Sequence, residues 1–422
     1  MAGPAEGKAE LKREVGLFGA VAYGVGTIIG AGVYALIGPG AGNAGNALWL
    51  AFVVAAVVAS FTGLCYAKLS SIFPVAGAEY IYVEEAFRSR FWAFLVGWLV
   101  IISGIISISA VALGFGGYLF AYTGIPREFI AAALIALLSV VNYLGIKESI
   151  IANIVLTIIE LVGIAIMVFL GIGFLGQVDY VESPQGFNGI IAAVGVIFFA
   201  FIGFEGLVKI GEETSDPTRT IPRALIISLA VSTVLYVLVA LAVVSIVPFE
   251  QLAASSSPLA LVAERAAGPE AGAFLSLIAL LSTANTVLIV LVATSRIAYG
   301  MSKESVLPYA FSQVHPVRGT PRTAILFTMA LAILFAFVGN IEFTANIANY
   351  TIFIVFLAVD AALIALWRAK VVKTKGIVVV ATLGVVSSLV MLTQFDLEIV
   401  LVSLALTGAG ALVYRLVAWD LR

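Results

Sequence analysis

Charge is what this chain has least of. Only 11% of its 422 residues are Asp, Glu, Lys or Arg, where a soluble domain carries about a quarter. With 62% of residues hydrophobic and a mean hydropathy of +1.15, a water-soluble fold is excluded. Cys65 and His315 each stand alone, so neither an intrachain disulfide nor a His/Cys metal cluster can form. Disulfide scaffolds and zinc enzymes drop out, and neither a cofactor nor a nucleic-acid partner is expected. Strands of alternating polarity are also missing. The apolar runs are apolar throughout, which excludes a transmembrane barrel and leaves a helical bundle.

A hydrocarbon core about 30 Å thick takes roughly 20 apolar residues to cross, so the length has room for about a dozen crossings and no large soluble domain. Apolar runs and their interruptions give twelve candidate helices: near 15 to 37, 47 to 67, 91 to 121, 129 to 146, 149 to 175 and 189 to 210, then 222 to 247, 271 to 299, 323 to 339, 343 to 367, 376 to 395 and 398 to 419. Twelve crossings place both termini on one side. All but Arg127 and Arg265 of the 22 Lys and Arg residues then fall on that side, and the positive-inside rule makes it cytoplasmic. The first run follows Lys8, Lys12 and Arg13, yet it is too long for a signal-peptide core and reads as an uncleaved first helix. The expected setting is a multi-pass protein of the plasma membrane.

Two of the spans are interrupted. The first carries Gly24, Gly26, Gly30 and Gly32 at its centre. Gly26 and Gly30 fit a small-xxx-small packing face, but at about 100° per residue Gly24 and Gly32 point elsewhere, so local unwinding explains the four better. A dinucleotide loop is ruled out by the missing third glycine and the absence of a preceding strand. The sixth span, Ile197-Phe198-Phe199-Ala200-Phe201-Ile202-Gly203-Phe204-Glu205-Gly206, is interrupted by two glycines and a carboxylate. The two breaks lie five spans apart, and an odd-numbered unit repeated once gives an inverted repeat. Paired interruptions of this kind point to a transporter's substrate site. Unwound backbone exposes N–H groups at one half-helix end and C=O groups at the other. The N–H groups around Gly30, Ala31 and Gly32 suit a carboxylate, and the carbonyls around Phe199, Ala200 and Ile202 suit an ammonium. Phe199 is the gating candidate among the aromatics; Phe201 and Phe204 read as packing.

These stretches, with Phe73-Pro74-Val75-Ala76-Gly77-Ala78-Glu79-Tyr80-Ile81-Tyr82, Gly211-Glu212-Glu213-Thr214-Ser215-Asp216-Pro217-Thr218-Arg219-Thr220-Ile221-Pro222, and the run from Ser282 to Met301, resemble the amino acid–polyamine–organocation transporters, particularly their cationic-amino-acid-transporter-like branch. The resemblance runs in order along essentially the whole chain. It implies an all-α membrane protein of LeuT type, with twelve transmembrane helices, discontinuous helices one and six, and secondary transport of amino acids by alternating access. The parts would be a cytoplasmic segment 1–14, a first five-helix repeat 15–175, an inverted second repeat 189–367 and two additional helices 376–419. Residue by residue, the family's backbone substrate contacts fall on Ile28, Gly30, Ala31 and Gly32 and on Phe199, Ala200 and Ile202; Asn285 on the eighth span is a further substrate-side candidate. A monomer or weak dimer in the lipid bilayer is expected.

Three carboxyls lie well inside spans: Glu160, Glu205 and Asp360. Each costs at least a few kcal/mol if ionised and unpaired there. Glu205 is a candidate for the intracellular gate, with an i+4 ion pair to Lys209 as the plainer reading. Asp360 is a coupling candidate with a buried packing hydrogen bond as the competing reading. Glu160 stands where some proton-coupled relatives carry a lysine, and a glutamate cannot replace that cation. As an acid it would carry a proton; as an anion it would help span-one carbonyls and the hydroxyls of Ser282 or Thr283 ligate sodium. Proton linkage or exchange is favoured, with sodium left open. No acid can be placed beside the substrate side chain, so neutral amino acids are favoured over cationic ones. Ser103, Ser107, Asn346 and Asn349 are more commonly interhelical hydrogen-bonding residues. Polyamines or other organic cations are the alternative cargo. A channel is the alternative of a different class; it would need a continuous pore with a filter, and this chain shows an internal repeat and no obvious filter, so conductance far above transporter turnover would favour it. An enzyme would need a nucleophile and base or metal ligands, and one His, one Cys and no clustered polar site argue against that.

Overall fold

The computed structural model describes residues 15–74, 78–303, 306–315, 318–338 and 341–420, without the side chains of 121–122, 146–152, 212–213 and 417–420. The expected segment 1–14, Val75 to Gly77 of the second motif, the side chains of Lys147, Glu212 and Glu213, and Arg422 lie outside the described residues. In chain order the α-helices are α1 (Leu17–Ile28), α2 (Ala31–Ala44), α3 (Leu48–Ser70), α4 (Ala78–Phe87), α5 (Arg90–Thr123), α6 (Arg127–Leu144), α7 (Ile146–Ile172), α8 (Gly186–Ile197), α9 (Pro217–Ile246), α10 (Phe249–Ala254), α11 (Pro258–Ala267), α12 (Pro269–Lys303), α13 (Arg322–Val338), α14 (Ile341–Arg368), α15 (Ile377–Leu392) and α16 (Leu397–Asp420). Among the described residues the only extended pairing is a single bridge, Val15 to Thr214.

Nine helical stretches among the described residues are long and apolar enough to cross a membrane, and three further apolar helices, α1, α13 and α15, are shorter. The chain is a multi-pass membrane protein. The helices α4, α10 and α11 were not among the sequence-based candidates. α4 carries Glu79, Glu84 and Glu85, and α10 and α11 are only 6 and 10 residues long, so a search for long apolar runs passes over them.

Helix limits follow local chemistry. Ser89 caps α5, its hydroxyl accepting from Trp92 N, and Gly124 ends the helix in the left-handed region at φ 69°, where glycine has no Cβ penalty. Pro217 and Pro258 sit in the first turns of α9 and α11, where a missing N–H costs nothing.

Lipid offers no hydrophobic drive for helices to meet, so contact depends on small residues. The two longest helices, α5 and α12, meet at Gly97 against the Met301 thioether and at Gly104 against Thr294, seven residues apart on one face. α7 sits on α9 through Gly171 and Ala242. α16 docks on α5 where Gly410 receives the Trp98 ring, whose indole N–H donates to the Leu406 carbonyl at 3.0 Å.

The connections gather at two ends. At one, Ser215 N donates to Val15 O at 2.9 Å, Gly211 lies on Pro74, and the Thr320 hydroxyl donates to Tyr143 O at 2.9 Å. This is the basic end, because Arg219, Arg318 and Arg322 lie on these segments. At the opposite end Asn46 donates to Glu182 at 2.8 Å, and Gly38 and Gly42 pack on Leu252 and Ala253.

Gly410→Leu places a side chain where Trp98 sits, an overpacking cost of roughly 1–3 kcal/mol. Thermal unfolding in detergent is expected to shift down relative to the unsubstituted protein; an unchanged midpoint contradicts this docking.

Candidate functional site

The first span breaks at two residues. α1 ends at Ile28, Ile29 is extended (φ −79°, ψ 97°), Gly30 is neither helical nor standard extended (φ −147°, ψ −147°), and α2 restarts at Ala31. The unwinding is therefore narrower than the four glycines suggest. α1 runs unbroken through Gly24 and Gly26. Gly24 makes room for Leu207 and for Ser228 of α9, Gly26 for Thr157 of α7, and Gly32 for the backbone of Ala200. Gly30 alone marks the break, and the other three glycines are close-approach points to four neighbours, Leu207, Ser228, Thr157 and Ala200.

The sixth span breaks in a different manner. α8 gives way to a 3-10 turn, Phe198–Phe201; Ile202 is extended (φ −61°, ψ 133°), Gly203 takes φ 126°, and a second 3-10 segment runs Phe204–Glu213. That φ is open to glycine and strained for any other residue. A Cβ on Gly203 would also fall on the Thr27 carbonyl of span one. The two breaks thus touch twice, Gly32 on Ala200 and Gly203 on Thr27.

Tyr236 of α9, which sequence reasoning passed over, joins them. Its buried hydroxyl lies 2.6 Å from Ile28 O and 2.8 Å from Ala200 O. One proton serves both acceptors. A tyrosine within an apolar span is a readable signal, since a buried phenol takes a partner, but its partners are carbonyls that exist only because both spans are broken. Thr286 of α12 accepts from Ala31 N at 3.0 Å and donates to Ser282 O at 3.2 Å.

Of the first N–H groups of α2, Ala31 N is thus engaged, and Gly30 supplies no side-chain cap for the others. Phe199 O accepts from Ile202 N at 3.2 Å and Ala200 O from Tyr236, each carbonyl keeping a second lone pair. Beside Ala31 and Phe199 a slot is lined by Ala35, Ala110, Val111 and Ala345, with no polar surface and no room for a water molecule. A roomier cavity of about 260 Å³ lies at the basic end among Asn142, Ser295, Arg296, Tyr299 and Thr320; none of the expected site residues lines it.

The other expected residues separate into groups. Glu160, wholly buried on α7, accepts from Asn285 Nδ2 at 3.1 Å, and the same amide reaches Thr157 at 3.4 Å. Asn285, expected on the substrate side, therefore turns its amide to the Glu160 cluster. The Ser282 hydroxyl lies beside the Glu160 carboxyl but short of hydrogen-bond geometry. Glu160 Oε2, Ser282 Oγ and Asn285 Oδ1 are all buried without a hydrogen-bond partner. Thr283 turns away, donating to Ala279 O and Leu280 O of its own helix. Tyr34 of α2 donates to the Glu160 backbone carbonyl at 3.1 Å, which ties this cluster to the restarted half of span one.

Glu205 accepts from Gly203 N at 2.9 Å and so caps the second break. The i+4 pairing with Lys209 does not form: at three residues per 3-10 turn the two side chains no longer share a face, and Lys209 Nζ lies 3.7 Å from Glu79 Oε1 of α4. Glu79, buried, also accepts from the Tyr66 hydroxyl at 3.5 Å. Asp360 is apart from all of these, on α14 against α3, where Thr62 donates to its Oδ2 at 2.9 Å. Ser103 and Asn349 are spent on packing, donating to Ala348 O and Gly195 O.

A bundle of membrane-crossing helices with two facing backbone breaks is the architecture of a transporter. The family described as amino acid permease matches residues 15–409. The chain is 28% identical over 437 residues to the branched-chain amino acid permease BcaP of Bacillus subtilis (strain 168), covering 97% of this chain and 94% of the relative. It is 28% identical over 377 residues to the methylthioribose transporter of the same organism, covering 84% and 81%. Human cationic amino acid transporter 4 is 31% identical over 343 residues, covering 75% of this chain and 53% of the relative. The chain belongs to the amino acid permease family of the amino acid–polyamine–organocation superfamily. It is a transporter and not an enzyme.

Two substitutions probe the breaks. Gly203→Ala combines a strained φ with a clash on Thr27 O, an expected cost of about 1–3 kcal/mol, read as a lowered unfolding midpoint together with loss of transport. Tyr236→Phe removes the shared proton and leaves the Ile28 and Ala200 carbonyls short of a donor, about 1–3 kcal/mol. Thermal unfolding and substrate affinity are both expected to fall, and a variant matching the unsubstituted protein in both contradicts the bridge.

Proposed function

We propose that this protein is a secondary transporter that carries neutral amino acids with apolar side chains across the plasma membrane by alternating access. The observation that carries the reading is the pair of facing breaks. α2 restarts with its positive dipole end and uncapped N–H groups, suited to a carboxylate, while the carbonyls of Ile28, Phe199, Ala200 and Ile202 are suited to an ammonium. In this reading α1 with α2 forms the first of twelve crossings, and α8 with its 3-10 continuation forms the sixth. Residues 15–175 and 189–367 are inverted five-helix repeats, with 376–419 outside them. Both termini are cytoplasmic, a reading supported by the distribution of Lys and Arg.

The slot beside Ala31 and Phe199, too narrow for a water molecule in this arrangement, favours an apolar side chain once it opens, since every residue lining it is apolar; an ionic cargo group would meet no partner there. The name of BcaP agrees with such a cargo. Phe199 closes the slot, and Glu205, holding Gly203 N, together with Glu79 and Lys209, guards the basic end. Glu160 is the coupling residue. Its bare Oε2 beside the unpartnered oxygens of Ser282 and Asn285 is a place for a proton on the carboxyl, and the linkage is to protons or to exchange. Thr283, turned to its own helix, takes no part.

Uptake of radiolabelled amino acids into proteoliposomes, screened over all twenty under imposed pH or sodium gradients, tests this. Aliphatic neutral amino acids are expected to enter, with a pH gradient or an internal amino acid driving them, and Glu160→Gln is expected to bind substrate yet lose any pH response. Uptake driven by sodium and indifferent to pH, with Glu160→Gln inactive, overturns the coupling; a preference for cationic substrates overturns the cargo.

A further inference from the structure

The substrate breaks leave one buried carboxyl without a task. Asp360 has no exposed surface at all. It lies where three helices meet, held by its own α14, by Thr62 and Cys65 of α3 and by Gly384 of α15. Gly384 brings the α15 backbone so close that a Cβ there would fall on the carboxyl group. Ser388, one turn further along the same face of α15, is buried with its hydroxyl unpartnered, and so is Asp360 Oδ1. Thr62 alone donates to the carboxyl with full hydrogen-bond geometry, and no salt bridge among the described residues includes it.

An anion in that position would have one oxygen bare at membrane depth with no cation to offset it, and such a charge costs several kcal/mol. A neutral acid there needs only an acceptor for its O–H, and the Cys65 thiol is the group beside it. The titratable groups facing this point are few. α3 supplies Cys65 and, on the next residue, Tyr66, whose hydroxyl turns to Glu79 of α4; α15 supplies Gly384 and Ser388, which do not titrate; on α14 itself the next charge is Arg368, exposed and eight residues, roughly 12 Å, along the helix.

One turn of α3 therefore looks two ways. Thr62 holds Asp360 with Cys65 beside it, while Tyr66 reaches Glu79, which is paired with Lys209 at the basic end. Tyr66 also packs edge-on against Phe204, next to the second break, and against Phe356, one turn from Asp360 on α14.

We propose that Asp360 is a second proton-binding site, outside the substrate cleft, which keeps its proton while α3, α14 and α15 are packed together and exchanges it with water when α15 parts from them. The α3 turn links that exchange to the Glu79–Lys209 contact, so the proton at Asp360 stabilises the arrangement in which the basic end is closed. The inference rests on the transport reading only for its link to the cycle. The protonation itself is a property of the resting protein.

Infrared spectra of the purified protein in lipid nanodiscs, recorded at one pH without substrate and subtracted between the unsubstituted protein and each variant, test the site apart from transport. A protonated-carboxyl C=O band is expected that disappears in Asp360→Asn and shifts in Thr62→Val, which removes the donor to Oδ2. Where Asp360→Asn does not fold, the shift in Thr62→Val carries the test alone. In proteoliposomes Asp360→Asn is expected to bind substrate normally while its exchange rate changes less with pH than that of the unsubstituted protein. No loss of protonated-carboxyl intensity in Asp360→Asn, no band moved by Thr62→Val, or an unaltered pH profile of exchange overturns the proposal.

Discussion

A peptide group inside a membrane has no water to fall back on. Each N–H or C=O left without a partner there costs several kcal/mol, and that constraint shapes every unusual feature at the centre of this protein. The two spans that abandon helical pairing do so side by side, so that the groups one exposes are within reach of the other's surroundings. Thr286 takes Ala31 N, Glu205 takes Gly203 N, and Tyr236 serves Ile28 O and Ala200 O. Three side chains from three different segments thus hold an arrangement that neither span would keep alone. What stays unpaired is the part available to a ligand.

Around this centre the polar residues form separate small groups, each with a defined shortage. The Glu160 group has three oxygens without donors. The Glu79 group has a carboxylate, a phenol and an ammonium in rough balance. Low dielectric strengthens what is paired and penalises what is not, so groups with a shortage respond most to a proton, a cation or a change of packing. The slot beside Ala31 and Phe199 has no such group, its lining being apolar throughout.

Much of this was legible in the residue order. Apolar runs bounded by charge gave the long helices to within a few residues, because lipid allows few alternatives to a continuous helix. Gly203 beside Glu205 marked the second break correctly. The first was read too broadly: four glycines were assigned to unwinding when three serve helix contacts, since sequence does not distinguish a glycine that bends from one that admits a neighbour. The Glu205–Lys209 pair failed because i+4 reasoning presumes an α-helix, and the segment is 3-10. Tyr236 was missed for a different reason. Its partners are backbone carbonyls, which leave no mark in a sequence.

The contacts of Gly32 with Ala200 and of Gly203 with Thr27 have a mechanical meaning. Backbone pressed on backbone at two points has no side-chain slack to absorb sliding, so neither broken span can translate past the other without lifting off entirely. They are meshed like gear teeth. Any large motion of the protein must therefore carry both as one body, and the surface of slip has to lie elsewhere, along faces where longer side chains can change rotamer as they pass.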